Sequence, residues 1–189
     1  FPMNNFEIVI LALALVFNSW NSYVHAGLLL SKEQMVRRFY ASGITFLMEF
    51  LMAGTGIWAG YKTASSEMRT NILISLSIML VVGLKVLFTV IRAQSQETDH
   101  EYSENKRTFF AALLEGIVPL FIGISIGLLS LQPYLHWLLI GLFLLLGIIT
   151  GQVAAIQKKD NAFNFKVEYM AGFLFIAAAI KLALNITGF

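Results

Sequence analysis

Apolar residues gather in six long runs, about Ile8 to Leu30, Tyr40 to Tyr61, Asn71 to Ile91, Phe109 to Leu131, Tyr134 to Ile156 and Val167 to Ile186. At 1.5 Å per residue each run reaches across a hydrocarbon core of about 30 Å, so the pattern predicts six transmembrane helices and an all-α fold. Polar positions fall mainly in the links, which are short except for "RAQSQETDHEYSENKR", Arg92 to Arg107. Its Glu97, Asp99, Glu101 and Glu104 make it a solvated midpoint. The expected organisation is a single transmembrane domain over residues 1–189. Within it, a first half of about 4–92 and a second of about 109–189 flank an acidic loop, 93–108.

The first run is interrupted by "FNSWNSYVH", Phe17 to His25. Lipid offers no hydrogen bonds, so these polar groups must face protein, water or an ion. At about 100° per residue, Asn18, Asn21, Ser22 and His25 fall within roughly 100° of one another, while Trp20 and Tyr23 point elsewhere. One stripe of the helix is therefore polar. It suits either a hydrophilic cavity or interhelical hydrogen bonds worth about 0.6 kcal/mol each.

Composition agrees with the pattern: 58% hydrophobic residues, 13% charged and a mean hydropathy of +0.75, against roughly 25% charged in soluble domains. Six spans leave no room for a soluble domain. The net charge of +2 is too small to indicate nucleic acid, and the absence of cysteine excludes disulfides and thiolate metal sites. Phe1 and Pro2 read as an extension ahead of an initiator Met3, and the first run, lacking a small-residue cleavage site, reads as retained. The links after spans 1, 3 and 5 hold Lys32, Arg37, Arg38, Arg92, Lys106, Arg107, Lys158, Lys159 and Lys166, against only Lys62 and Arg69 opposite. By the positive-inside rule the richer side is cytoplasmic and both termini are extracytoplasmic. No nucleotide-binding loop, catalytic triad or hydrolase metal spacing appears, so neither an enzyme nor a cofactor is expected.

The halves resemble each other. "VGLKVLFTVI" around Lys85 matches "AAIKLALNIT" around Lys181, "GIWAG" from Gly56 matches "GIITG" from Gly147, and "GLLLS" from Gly27 matches "GLLSL" from Gly127, at offsets of 96, 91 and 100 residues. Three spans per half is an odd number. The second half must then enter the membrane from the opposite side, giving two inverted three-helix repeats with a substrate site near mid-depth.

Five segments, "ILALALVFNSW", "GITFLMEFLMAGTGIWAG", "GLKVL", "GIVPLFIGISIGLL" and "EYMAGFLFIAAAIKLAL", together resemble the MntP-type manganese exporters of the LysE transporter superfamily along essentially the whole chain. The resemblance implies a secondary transporter in a cell membrane, the inner membrane of a bacterium, that exports a divalent cation, Mn²⁺, by alternating access. Its partners would be the bilayer and the transported cation, with a homodimer left open and no nucleic acid. Family members carry aspartates in spans 1 and 4 where this chain has Asn18 and Val118, whereas the span 2 acid is kept as Glu49 and the span 3 base as Lys85. Loss of those charges leaves two alternatives open: a changed, less charged solute, or a scaffold without transport.

Glu49, about ten residues into span 2, is the leading candidate ligand, because an ionised group near the membrane centre costs about 2.5–3.5 kcal/mol if unpaired. Through the resemblance, the Asn18, Asn21, Ser22 and His25 stripe would face the cation path, with oxygen and imidazole donors acceptable to Mn²⁺. In span 4, Pro119 lacks an N–H and would free the carbonyl of Glu115, placing a carboxylate and a carbonyl on one turn. Metal contact is thus expected from Glu49, Glu115 and Asn18. Glu115 also lies close enough to the cytoplasmic end to snorkel. Lys85 and Lys181 are candidates to balance Glu49 or Glu115, or to snorkel themselves.

Overall fold

A computed structural model describes residue 3 and residues 5–28, 35–95, 116–156 and 161–187. Helices α1 (Asn5–Leu28), α2 (Met35–Thr63), α3 (Met68–Ser95), α4 (Ile117–Leu129), α5 (Pro133–Ile156) and α6 (Asn161–Thr187) make up the described regular structure. Ser42–Thr63, Met68–Ile91 and Pro133–Ala154 are long and apolar enough to cross a membrane. Over the described residues, Phe6–Trp20, Ile117–Leu129 and Tyr169–Leu184 are apolar but shorter.

Two tight links follow from local chemistry. Between α2 and α3, the Asn71 side chain brackets Ser65, accepting from its N–H at 2.8 Å and donating to its carbonyl at 2.9 Å. Between α4 and α5, Ser130 Oγ accepts from the Gln132 N–H at 3.1 Å and pairs with His136 Nδ1 at 2.7 Å. Pro133 then opens α5, where its missing N–H has no helical partner to lose. Pro119 lies in the first turn of the described α4. Glu115 and its carbonyl lie outside the described residues.

Burial separates the helices into two kinds. Along α1, Ile8, Leu11, Ala12, Ala14, Leu15, Ser19, Tyr23 and Val24 are all buried, and α4 is buried from Ile122 through Leu129 except at Ile124. These two are the inner helices. Their neighbours present large apolar side chains outward at helical spacing, for example Leu47, Leu51 and Trp58 on α2 and Leu138, Leu142, Leu145 and Ile149 on α5. An apolar surface of this extent is stable only against lipid, so the molecule is a membrane protein.

Glycines set the contacts between helices. A Cβ added at Gly56 or Gly60 of α2 would lie 2.2 Å from the carbonyl oxygen of Leu120 or Ile124. One added at Gly123 or Gly127 of α4 would lie 2.4 or 2.2 Å from that of Ala53 or Ile57. Two GxxxG steps thus face each other with their backbones touching, a geometry that admits no side chain and favours Cα–H···O contacts. Residue numbers rise together along this contact, so α2 and α4 run parallel. Likewise α5 runs parallel to α1, with Gly147 against Val16 and Gly151 against Tyr23. Gly83 and Gly172 meet across α3 and α6, which run antiparallel, as do α1 and α6, joined by Glu7 and Lys181 at 2.7 Å. The α2–α5 contact is aromatic. Trp137 stacks on Phe50 with centroids 4.6 Å apart and donates its indole N–H to the Phe50 carbonyl at 3.0 Å, reaching it over Gly54. Trp137 is therefore a packing residue of the α2–α5 contact.

The neighbour pairs have a regularity. Exchanging α1, α2 and α3 with α4, α5 and α6 turns the α2–α4 contact into α5–α1 and α1–α6 into α4–α3, while α3–α6 and α2–α5 map onto themselves. The facing glycines of the α3/α6 contact are Gly83 and Gly172.

Gly127→Ala is expected to destabilise the protein by about 1–3 kcal/mol, because the added methyl meets backbone that cannot rotate away. Gly43→Ala, where a Cβ meets nothing within 4 Å, should be neutral or slightly stabilising. Thermal unfolding in one detergent, followed by circular dichroism, compares the two.

Candidate functional site

Glu49 is the middle residue of α2, roughly 21 Å along the helix from either end. Its side chain is 0% exposed. Ser42, Thr45 and Glu49, at helical spacing, carry a polar stripe along the same buried face that continues through Ala53 to Gly56 and Gly60. The stripe meets two partners. Near the end of the bundle where α1 finishes and α2 starts, Ser42 Oγ accepts from Gln152 Nε2 of α5. At mid-helix, Tyr23 Oη of α1 donates to Glu49 Oε2.

Tyr23 is 0% exposed and is held from behind by α5. The Cβ positions of Gly151 and Gly147 fall 2.7 Å from Tyr23 Cβ and 3.3 Å from Tyr23 Cε2. Val16 Cγ1 lies 2.8 Å from that second point, so the ring runs back along α1 from residue 23 toward the level of Val16. Ser19 lies one turn before Tyr23 on α1. Ser19 is 1% exposed, and its Oγ has no hydrogen-bond partner among the described residues. Hydroxyls on the outer faces behave differently. Ser77, Thr89 and Thr150 donate to the carbonyl four residues earlier at 2.9 Å.

Two further buried hydroxyls are closed on each other's backbone. Ser75 Oγ donates to the Ser125 carbonyl at 3.0 Å and Ser125 Oγ to the Ser75 carbonyl at 2.9 Å, a reciprocal tie between α3 and α4. Such a pair offers little to an ion. The Glu49 region, with a carboxylate, a phenol and a buried hydroxyl together, has the donor types a hard cation or a proton requires.

Of the residues expected from the sequence, Glu49 does meet α1, through Tyr23. Asn18 and Ser22 are half-buried on the neighbouring flank of α1. Asn21 and His25 belong to α1, although their side chains lie outside the described residues, as does the whole of Glu115. Pro119 and Val118 are buried in the apolar core. Lys181 pairs with Glu7 beside a cavity of about 210 Å³ between α1 and α6, walled largely by Ile10, Leu11, Leu174 and Leu182. Lys85 is exposed on α3, where its length suits snorkelling. Among the described residues, no three His, Cys, Asp or Glu side chains gather as a metal cluster.

Ser19, Tyr23, Ser42, Thr45 and Gln152 were not expected. Ser42, Thr45 and Glu49 were visible as an i, i+3, i+7 series. Tyr23 was set aside because it lies about 140° from Asn18 around the helix, yet Ser19 and Tyr23 form a second interior face there.

Comparison with known proteins gives this geometry a context. No solved structure matches the chain. A protein of Fusobacterium nucleatum subsp. nucleatum named "Putative manganese efflux pump MntP" is 23% identical over 189 residues, covering 96% of this chain and 100% of that protein. The family described as "Putative manganese efflux pump" matches residues 32–183, from the approach to α2 through nearly all of α6, and the chain belongs to that MntP family.

Proposed function

We propose that the protein is a secondary transporter that exports a divalent cation, Mn²⁺, by alternating access, with Glu49 as the central ligand. The observation that carries this reading is the fully buried carboxylate at the midpoint of α2, in a chain of the manganese efflux family. A buried acid at that depth is a functional group by default, since ionised it costs about 2.5–3.5 kcal/mol even on the insertion scale. No ATP-binding motif is present in the sequence, so the driving force is an ion gradient or the membrane potential. Asn18 and Ser22 lie near enough on α1 to join the ion path when that helix turns.

The architecture in this reading is six spans in two inverted repeats. Its support is the exchange regularity of the neighbour pairs together with their directions. From α1 to α6 the helices alternate, so α1–α3 run up, down, up where α4–α6 run down, up, down. Equivalent helices then point in opposite senses, as an axis in the membrane plane requires.

A changed substrate is the second reading, and the neighbourhood of Glu49 favours it specifically. Among the described side chains the acids are Glu7, Glu49 and Glu67, and of these Glu7 is paired with Lys181 and Glu67 lies in the α2–α3 turn. One carboxylate balances a monovalent ion or a proton but leaves a divalent ion half neutralised, and affinity for divalent ions follows ligand charge.

Three experiments bear on these readings. Glu49→Gln keeps the shape and removes the charge, so Mn²⁺ transport into proteoliposomes should fall to background while the fold persists. Undiminished transport would remove Glu49 from the site. Asn18→Asp should tighten Mn²⁺ binding if the flank of α1 contributes, and calorimetric titration of the folded variant shows whether it does; no change would favour the less charged substrate. For orientation, single cysteines at Met3 and Ser66 should react with an impermeant maleimide from outside intact cells, and one at Thr98 should not. The opposite labelling would invert the assigned topology.

A further inference from the structure

We propose that the cavity between α1 and α6 is a site for one phospholipid with a zwitterionic, amine-bearing headgroup, its phosphate on Lys181, its ammonium beside Glu7 and part of an acyl chain between the two helices. The proposal depends neither on Glu49 nor on the transported ion.

Four observations combine. First, the cavity has a charged rim and an apolar interior. Glu7 belongs to the first turn of α1, and Lys181 lies about 9 Å from the end of the antiparallel α6, so the pair stands near one end of the bundle. The lining then runs inward past Ile10 and Leu11 on α1 to Leu174 on α6, about 10 Å deeper than Lys181. An amphiphile matches that gradient, with its head at the rim and its chain inward. Second, the rim belongs to the lipid-facing surface, because Phe6 beside Glu7 and Ile180 and Leu184 beside Lys181 are exposed. Third, small side chains open the space. Ala177 and Ala178 line it on a helix that carries Phe173, Ile176 and Ile180 nearby. Its volume of about 210 Å³ exceeds the roughly 150 Å³ of an engineered apolar cavity that takes up benzene. Water gains little against such walls, since it needs about two to four polar partners, whereas an acyl chain gains dispersion contacts with Ile10, Leu11 and Leu174.

Fourth, the charges at the rim choose the headgroup. Lys181 Nζ pairs with Glu7 at 2.7 Å, and the Lys181 side chain is still 47% exposed against 14% for Glu7. An ammonium carries three donors, so Lys181 can hold Glu7 and a phosphate oxygen together. A rim of one cation and one anion complements both charges of a phosphoethanolamine headgroup. A headgroup that carries only the phosphate charge meets Glu7 as a like charge.

The test uses the full chain, purified in detergent and freed of lipid, with bound lipid counted by native mass spectrometry and stability followed as the thermal midpoint. Phosphatidylethanolamine should leave one retained lipid per chain and raise the midpoint by about 5–10 °C at roughly 100 times its Kd. Phosphatidylglycerol should bind about tenfold more weakly, the loss expected when one charge-assisted contact is replaced by a like-charge encounter. Ala178→Leu fills the cavity, so it should abolish both the retained lipid and the lipid-dependent shift while keeping or raising the lipid-free midpoint. Lys181→Gln, at an exposed position, should fold normally and weaken phosphatidylethanolamine about tenfold. Should Ala178→Leu fail to fold, Lys181→Gln decides alone. Wild-type lipid retention in either folded variant, or equal binding of the two lipids, would overturn the site. A midpoint shift from inorganic phosphate alone would make the rim a phosphate site without a lipid, and a doubled mass that Ala178→Leu returns to a single chain would give the cavity to a second copy; each of these overturns the proposal as well.

Discussion

In hydrocarbon, helices gain nothing from hiding apolar side chains from lipid that is equally apolar, so their association has to come from close packing and polar contacts. Here that constraint is met by backbone touching backbone. The Gly56/Gly60 step of α2 and the Gly123/Gly127 step of α4 approach until no Cβ fits between them, and Gly147 and Gly151 bring α5 onto α1 in the same manner. Both of these contacts join a helix of the first half to a helix of the second. The halves are consequently interlocked rather than merely adjacent, and the position of every interior side chain, Glu49 included, is measured from these glycine seams.

The seams also explain why the interior can afford a carboxylate. Glu49 projects from the same face of α2 that carries Gly56 and Gly60, the face held tightest by its neighbours. Lipid is kept away on that side by α1, α4 and α5, and Tyr23 supplies a charge-assisted hydrogen bond that offsets part of the desolvation cost. Had the acid been displaced by one residue along α2, to Phe50, it would have met the stacked Trp137 instead.

The sequence carried much of this. Six apolar runs match six described helices, with ends shifted by up to six residues apart from the start of span 4, which lies outside the described residues; the GxxxG steps of spans 2 and 5 are packing surfaces, and Glu49 is legible because an acid in the middle of an apolar run has few bland explanations. Polar partners were harder to read. A helical wheel drawn for α1 draws the eye to its most polar stripe, while an aromatic on the adjacent face, with a hydroxyl at its tip, reaches Glu49. Periodicity shows which residues of one helix share a face. It does not show which face a second helix, brought up by glycines far along the chain, will meet.

Under the proposed repeat, backbone and chemistry differ in symmetry. The offset of 91 that relates Gly56 to Gly147 and Gly60 to Gly151 carries Glu49 onto Ile140 and Thr45 onto His136. Ile140 is as fully buried as Glu49, and His136 pairs with Ser130 inside the α4–α5 link instead of facing an acid. At these two positions the second half repeats the packing but not the charge. A symmetric pair of carboxylates would place two like charges in one low-dielectric interior, each raising the cost of the other. An isoleucine at position 140, where the repeat would set a second acid, avoids that repulsion.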